Sequence, residues 1–262
     1  KFDVVVIGAG PGGYVEAIRS KKKEKKTAIV EKEFLGGVCL NVGCIPSKAM
    51  ISAAHFLHRA QHDAAEMGIE ISGEIKVNFP KLLSWKNSVS SKMAQGVGQL
   101  LKGNGVTVFM GEAEFTSPNE VQVKSKSGNQ NIKAKNFILA LGSRPIEIPG
   151  FAFDENHVLS STGALALDKL PKRLAVIGGG YIGLEIGSYL AKLGSQIHVI
   201  EATPQLLGGL MDSEATQVVA RKLKKNNIDV KLDAKALGWK LVNNSVELKY
   251  QIKDKEKTKE ET

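Results

Sequence analysis

Two blocks of the same design, about 170 residues apart, restrict this chain's fold more than any other feature. Each runs apolar strand, glycine turn, helix, second strand, acid. The first has Phe2-Asp3-Val4-Val5-Val6-Ile7 leading into Gly8-Ala9-Gly10-Pro11-Gly12-Gly13, and later Thr27-Ala28-Ile29-Val30 closing on Glu31. The second has Arg173-Leu174-Ala175-Val176-Ile177, then Gly178-Gly179-Gly180-Tyr181-Ile182-Gly183, and Ile197-His198-Val199-Ile200 closing on Glu201. Short β-branched apolar runs are the mark of strands buried on both faces of a parallel sheet. In each turn the first glycine permits the sharp bend, the second lets backbone approach a pyrophosphate, and the third allows helix to pack on strand. The helix N-terminus then offers N–H donors to phosphate, and the acid accepts from ribose hydroxyls.

The expected fold is therefore α/β, with two Rossmann-like dinucleotide-binding domains. We place them at 1–145 and 146–262, the second incomplete at its C-terminal end, with Pro145, Pro149 and Gly150 marking the linker. Two fingerprints in one chain imply two different nucleotides, one resident and one exchangeable. Glu201 would repel a 2′-phosphate, which favours NAD over NADP at the second site. The helix there has Leu184, Ile186, Leu190 and Leu193 as its apolar face and Gly194 as its stop. The first helix departs from this pattern: Glu16, Lys21, Lys23 and Glu24 stand where small or apolar residues are expected, and no glycine ends it before Thr27.

The only two cysteines, Cys39 and Cys44, lie just ahead of a long helical pattern. A turn entering a helix can bring them within disulfide reach, which requires Cα atoms roughly 4.4–6.8 Å apart. Pro46 suits a first helical turn. Cys44 then falls near the positive end of the helix dipole with Lys48 one turn on, a setting that stabilises a thiolate. A stabilising bridge would remove little chain entropy across so short a loop. Structural zinc requires four ligands, and His55, His58, His62, His157 and His198 form no such set with the cysteines. The histidines on the helix read as surface or packing residues.

Between these motifs, apolar spacing predicts helices over 47–67 and 79–102. Val106–Met110, Glu120–Lys124 and Ile132–Ala140 read as an antiparallel meander, whose last strand returns to the dinucleotide site at Leu141-Gly142-Ser143-Arg144-Pro145. No apolar run reads as a membrane span, and no membrane partner is expected. The net charge of +9 includes two dense clusters, at 21–26 and 253–262. Neither is interleaved with aromatic residues, so both read as solvated surface and no nucleic-acid partner is expected. Two cysteines and no evident targeting segment predict a reducing compartment, the bacterial cytoplasm or, in a eukaryote, the mitochondrial matrix.

The run from Gly36 to Lys48, Gly-Gly-Val-Cys-Leu-Asn-Val-Gly-Cys-Ile-Pro-Ser-Lys, resembles the redox motif of the pyridine nucleotide-disulfide oxidoreductases. In this resemblance, Leu40 with Ile45-Pro46-Ser47 is more typical of the branch that oxidises dihydrolipoamide than of the glutathione or mercuric reductases. The resemblance covers nearly the whole chain, through the two glycine turns, Gly142 to Pro145, Ser161-Thr162-Gly163-Ala164, and Leu184-Glu185. It implies FAD at the first fingerprint, contacted by Gly8, Gly10, Gly13, Glu31, Lys32, Gly37, Val38, Lys48, the backbone at Ala113, and Gly142-Ser143. It implies NAD at Gly178, Gly180, Tyr181, Ile182 and Gly183, with Glu201 on the adenosine ribose and Tyr181 at the nicotinamide pocket. Cys39 would be the exposed interchange thiol, Cys44 the thiol beside the flavin, and Lys48 a partner of Glu185 near the flavin N5.

The implied reaction is dihydrolipoamide plus NAD to lipoamide plus NADH, in the E3 component of 2-oxo acid dehydrogenase complexes. The substrate would be carried on the lipoyl domain of an E2 acyltransferase, and the full protein would be a homodimer. Leu141 departs from the family, which usually has Thr there. The family's C-terminal interface domain carries a His-Glu pair, and no histidine here has that context, so residues 1–262 alone are not expected to complete the cycle. Two other readings stay open: another flavin disulfide reductase, of mercuric or glutathione type, and a non-catalytic nucleotide-binding piece. If Glu201 selects against the 2′-phosphate, Glu201→Ala narrows the preference for NAD over NADP, read from the two dissociation constants.

Overall fold

A computed structural model describes residues 1–262 apart from 210, 244, 254–257 and 262. In chain order it contains β1 (Phe2–Ile7), α1 (Pro11–Lys22), β2 (Thr27–Glu31), α2 (Gly37–Asn41), α3 (Cys44–His62), α4 (Phe79–Gly103), β3 (Thr107–Met110), β4 (Glu112–Ser117), β5 (Glu120–Ser125) and β6 (Gly128–Leu139). There follow α5 (Ser161–Leu165), β7 (Arg173–Ile177), α6 (Tyr181–Leu193), β8 (Gln196–Ile200), a 3-10 turn (Leu206–Gly209), α7 (Ser213–Lys225), β9 (Asp229–Lys231), β10 (Ala234–Val242), β11 (Ser245–Lys253) and β12 (Thr258–Glu261). Contacts divide the chain into two compact units, Lys1–Pro46 with Trp85–Arg144, and Ser47–Ser84 with Pro145–Thr262. The break after Arg144 falls beside the linker read from the prolines. Residues 47–84, read from sequence as part of the first domain, group with the second unit, because Met50, Ala54, Leu57 and Phe79 join the core of α6 and β8.

The first unit is a six-stranded sheet in the order β3-β2-β1-β6-β5-β4. β1 is parallel to β2 and to the second half of β6, while the first half of β6 is antiparallel to β5. One long strand thus belongs to both the parallel core and the meander. The parallel strands are the buried ones: Val5, Val6, Ala28 and Ile29 are fully inaccessible, as their apolar runs require. The expected placement of Val106–Met110 in the meander is incorrect. β3 pairs parallel with β2, from Ala28↔Thr107 to Glu31↔Met110, and the third meander strand is β4. Gly111, at φ +152, makes the change of direction, and a Cβ there would press 2.5 Å from the Lys124 carbonyl oxygen. β4 escaped notice because only Ala113 along it is even half-buried, so no apolar alternation announces it.

α1 accommodates its charged residues by burying only Gly13 and Ala17 completely. Its end needs no glycine because Glu24 itself adopts φ +58. In the second unit β7, β8 and β9 form a parallel sheet, and β10, β11 and β12 an antiparallel one. α6 buries Leu184, Ile186, Tyr189, Leu190 and Leu193 and ends at Gly194 in the left-handed region, as its sequence indicates. Burial pushes the Tyr189 hydroxyl's pKa well up. Of the charged cluster at 253–262, residues 254–257 and 262 lie outside the described residues.

One expectation about apolar runs changes. By length and composition the helical stretch Gly37–His62 is long and apolar enough to cross a membrane. The stretch is interrupted at Val42, where φ is −136°, and Met50, Ala54 and Leu57 are spent on the core of the second unit. Truncating the fully buried Leu190 to Ala should cost about 2–5 kcal/mol, visible as a lower urea midpoint with little change in slope.

Candidate functional site

At the first glycine turn the glycines divide into two kinds. Gly8 has φ +99, and a Cβ there would overlap the Ala140 carbonyl oxygen; one on Gly13 would overlap the carbonyl of Gly8. These two are required by the fold, since strand, turn and helix touch through them. The closest neighbour to a Cβ on Gly10 would be the Gly37 Cα at 3.9 Å, and a Cβ on Gly12 would meet nothing within 4 Å. Their bareness is not forced by packing, and it leaves a turn that a pyrophosphate can approach at the N-terminus of α1.

The acids hold these turns closed. Glu31 is buried; its Oε2 accepts from Ala9 N–H at 2.7 Å and its Oε1 from Glu33 N–H at 2.8 Å. Glu201, equally buried, repeats the arrangement: Oε2 accepts from Gly179 N–H at 2.5 Å, and Oε1 from the N–H and hydroxyl of Thr203, both at 2.7 Å. In both units 22 residues separate acid from latched amide. Sequence reasoning assigned the acids to ribose alone and missed Thr203, whose only signal is its place two residues past the acid. Each carboxylate oxygen has two lone pairs, so the latch is compatible with ribose binding.

The cysteine loop is seated on the first turn. Gly36 N–H donates to Ala9 O at 2.9 Å, and a Cβ on Gly37, at φ +60, would come 2.6 Å from the Gly10 Cα. Cys39 lies within α2 and Cys44 is the first residue of α3, with Pro46 in the opening turn. A Cβ on the intervening Gly43 would lie 3.4 Å from the Cys39 Cα, so the loop doubles back on itself. Cys39 is half-buried within α2, and Cys44 is exposed at the start of α3. Val38 and Lys32 are exposed, as is Ser143 beside Gly142, whose φ is +72. Ala113 is half-buried in β4. β6 does return to the first turn, with Ala140 N–H donating to Ile7 O at 2.8 Å.

In the second unit, Gly178 has φ +97, no neighbour would crowd a Cβ on Gly178 or Gly180, and one on Gly183 would meet Val176 at 2.8 Å. Here the division differs from the first unit: the first glycine of the turn is open, and a Cβ on Gly179 would press 2.6 Å from the Leu206 side chain. Tyr181 and Ile182, at the start of α6, are exposed. One turn further, Glu185 meets Lys48 of α3: Nζ lies 2.7 Å from both carboxylate oxygens. With 58% and 36% of the side chains exposed, the pair contributes about 0–1 kcal/mol to stability, so its bidentate geometry matters for positioning more than for holding the fold. Among the described residues no group of three or more His, Cys, Asp or Glu side chains is arranged to hold a metal ion.

Two dinucleotide turns and a cysteine pair leading a helix define a class before any comparison is made. The family model for pyridine nucleotide-disulphide oxidoreductases matches residues 2–262, and the chain belongs to that family. It is 46% identical over 256 residues to the dihydrolipoyl dehydrogenase of Bacillus subtilis (strain 168), covering 98% of this chain and 54% of that protein. It is 42% identical over 265 residues to the mitochondrial dihydrolipoyl dehydrogenase of Schizosaccharomyces pombe, covering 51% of its length. The solved HOCl-induced flavoprotein disulfide reductase RclA from Escherichia coli superimposes with a TM-score of 0.77 at 26% identity, over 98% of this chain and 54% of that one. The chain spans about half the length of the curated relatives it matches. Glu31→Ala would leave the buried Ala9 amide without its acceptor; the expected loss is about 1–3 kcal/mol, measured by urea unfolding.

Proposed function

We propose that this chain is the nucleotide-binding and disulfide-carrying part of a dihydrolipoyl dehydrogenase, oxidising dihydrolipoamide with NAD as the final acceptor. The observation that carries the reading is the seating of the cysteine loop, through Gly36 and Gly37, on the turn at Ala9 and Gly10. A redox-active pair is useful only beside its electron acceptor, and this contact joins the pair to a dinucleotide turn. Identity of 42–46% along the chain to proteins named for this activity supports the substrate, compared with 26% to the flavoprotein disulfide reductase.

The residues fit the two nucleotides. FAD would rest its pyrophosphate on Gly10 and Gly12 with its ribose at Glu31, and NAD would use Gly178 and Gly180 with Glu201. When bound, the flavin accepts an electron pair from the reduced cysteines and returns it to nicotinamide as a hydride. The chain's own part is thiol exchange. A substrate thiolate attacks the Cys39 sulfur of the Cys39–Cys44 disulfide, and Cys44 departs as a thiolate stabilised at the N-terminus of α3. The second substrate thiolate displaces Cys39, which closes the lipoamide disulfide and leaves both cysteines reduced. Lys48, one turn beyond Cys44 and held by Glu185, supplies positive charge on the same helix.

The substrate is carried on the lipoyl domain of an E2 acyltransferase, the working protein is a homodimer, and it operates in a reducing compartment, bacterial cytoplasm or mitochondrial matrix. The thiol roles are separable in the FAD-loaded full-length protein. Cys44→Ser should abolish the long-wavelength thiolate-to-flavin absorbance, whereas Cys39→Ser should retain it and lose lipoamide turnover. Identical spectra from the two variants would reverse or void the assignment, and turnover of glutathione or mercuric ion in place of dihydrolipoamide would move the protein to another branch.

A further inference from the structure

Three histidines share one helix and take no part in the thiol chemistry. On α3, His55, His58 and His62 follow at three- and four-residue spacings, which align them along one face. His58 and His62 touch, with ring centroids 4.3 Å apart and planes 29° from parallel. His62 Nδ1 lies 2.9 Å from the His58 carbonyl oxygen. A carbonyl can only accept, so this contact assigns the proton to Nδ1 and leaves the Nε2 lone pair of His62 available. Metal-bound imidazoles are commonly held in this way, one ring nitrogen donating to a carbonyl and the other facing the ion.

The geometry points to a binding site for a divalent transition ion that favours imidazole, such as nickel, copper or zinc, chelated by His58 and His62 with water completing its shell. His55, exposed one turn earlier, lies on the same face. An i, i+4 histidine pair on one helix face can offer both rings to a single ion, and the exposure of His62 leaves room for it. With two protein ligands the ion is exchangeable, unlike a closed four-ligand structural zinc. His58 is 14 residues along α3 from Cys44, about 21 Å of helix, so this ion and the thiols are separate.

The test is calorimetric titration of the protein, cysteines oxidised, with NiCl2, using MgCl2 as the control ion. One nickel should bind, at least about tenfold more weakly in His62→Ala and in His58→Ala, and with unchanged affinity in His157→Ala. Nickel should raise the melting temperature of the parent protein but not of His62→Ala. His62 is exposed, so that variant decides the matter even if His58→Ala fails to fold. Undiminished nickel affinity in His62→Ala, no binding by the parent, or equal binding of magnesium would overturn the proposal.

Discussion

A buried carboxylate at the end of the second strand of each unit organises the backbone around it. Glu31 and Glu201 each take two backbone amides, one from the glycine turn and one from the loop that follows the acid. A buried charge without such partners would be strongly destabilising, and the buried turn amide it accepts from would be orphaned without it. The latch therefore ties turn to strand end in both units, and it places the acid beside the mouth of the turn. The shape of the dinucleotide cradle and the stability of the strand end depend on the same atoms.

In the first unit the latched turn also supports the chemistry. Ala9, whose amide is held by Glu31, presents its carbonyl to Gly36, and Gly10 lies against Gly37. From there α2 carries Cys39 and α3 begins with Cys44. The path from the turn at Ala9 and Gly10 to the cysteine loop is a short series of backbone contacts, and glycine is required at Gly37, where a Cβ would come 2.6 Å from the Gly10 Cα. In the second unit the same helix supplies Lys48 to Glu185, so one continuous element carries a thiol at its start and an ion-paired lysine one turn later.

Much of this was legible in the residues. The two strand-turn-helix-strand-acid blocks are short-range patterns, with period two in the strands, period 3.6 in α6, and glycines where positive φ is needed. Such patterns report local geometry directly. The strands of the first meander were partly misread for the same reason. Val106–Met110 has the composition of a strand but nothing that names its neighbour, and β4 has almost no buried face to reveal it. β10 and β11 were not anticipated, although Val242-Asn243 ahead of Ser245-Val246 carries a turn signal, with Asn243 at φ +49.

By itself the sequence determined the two nucleotide-binding units, the cysteine pair at the head of a helix, the acids, and the glycines of the two dinucleotide turns. Only tertiary structure decided which strands pair, that residues 47–84 pack with the second unit, that each acid spends its oxygens on backbone amides, and that Lys48 lies against Glu185. Local patterns encode conformation within a few residues. Contacts between positions 48 and 185, or 9 and 36, depend on where the whole chain brings them, and no spacing rule contains that.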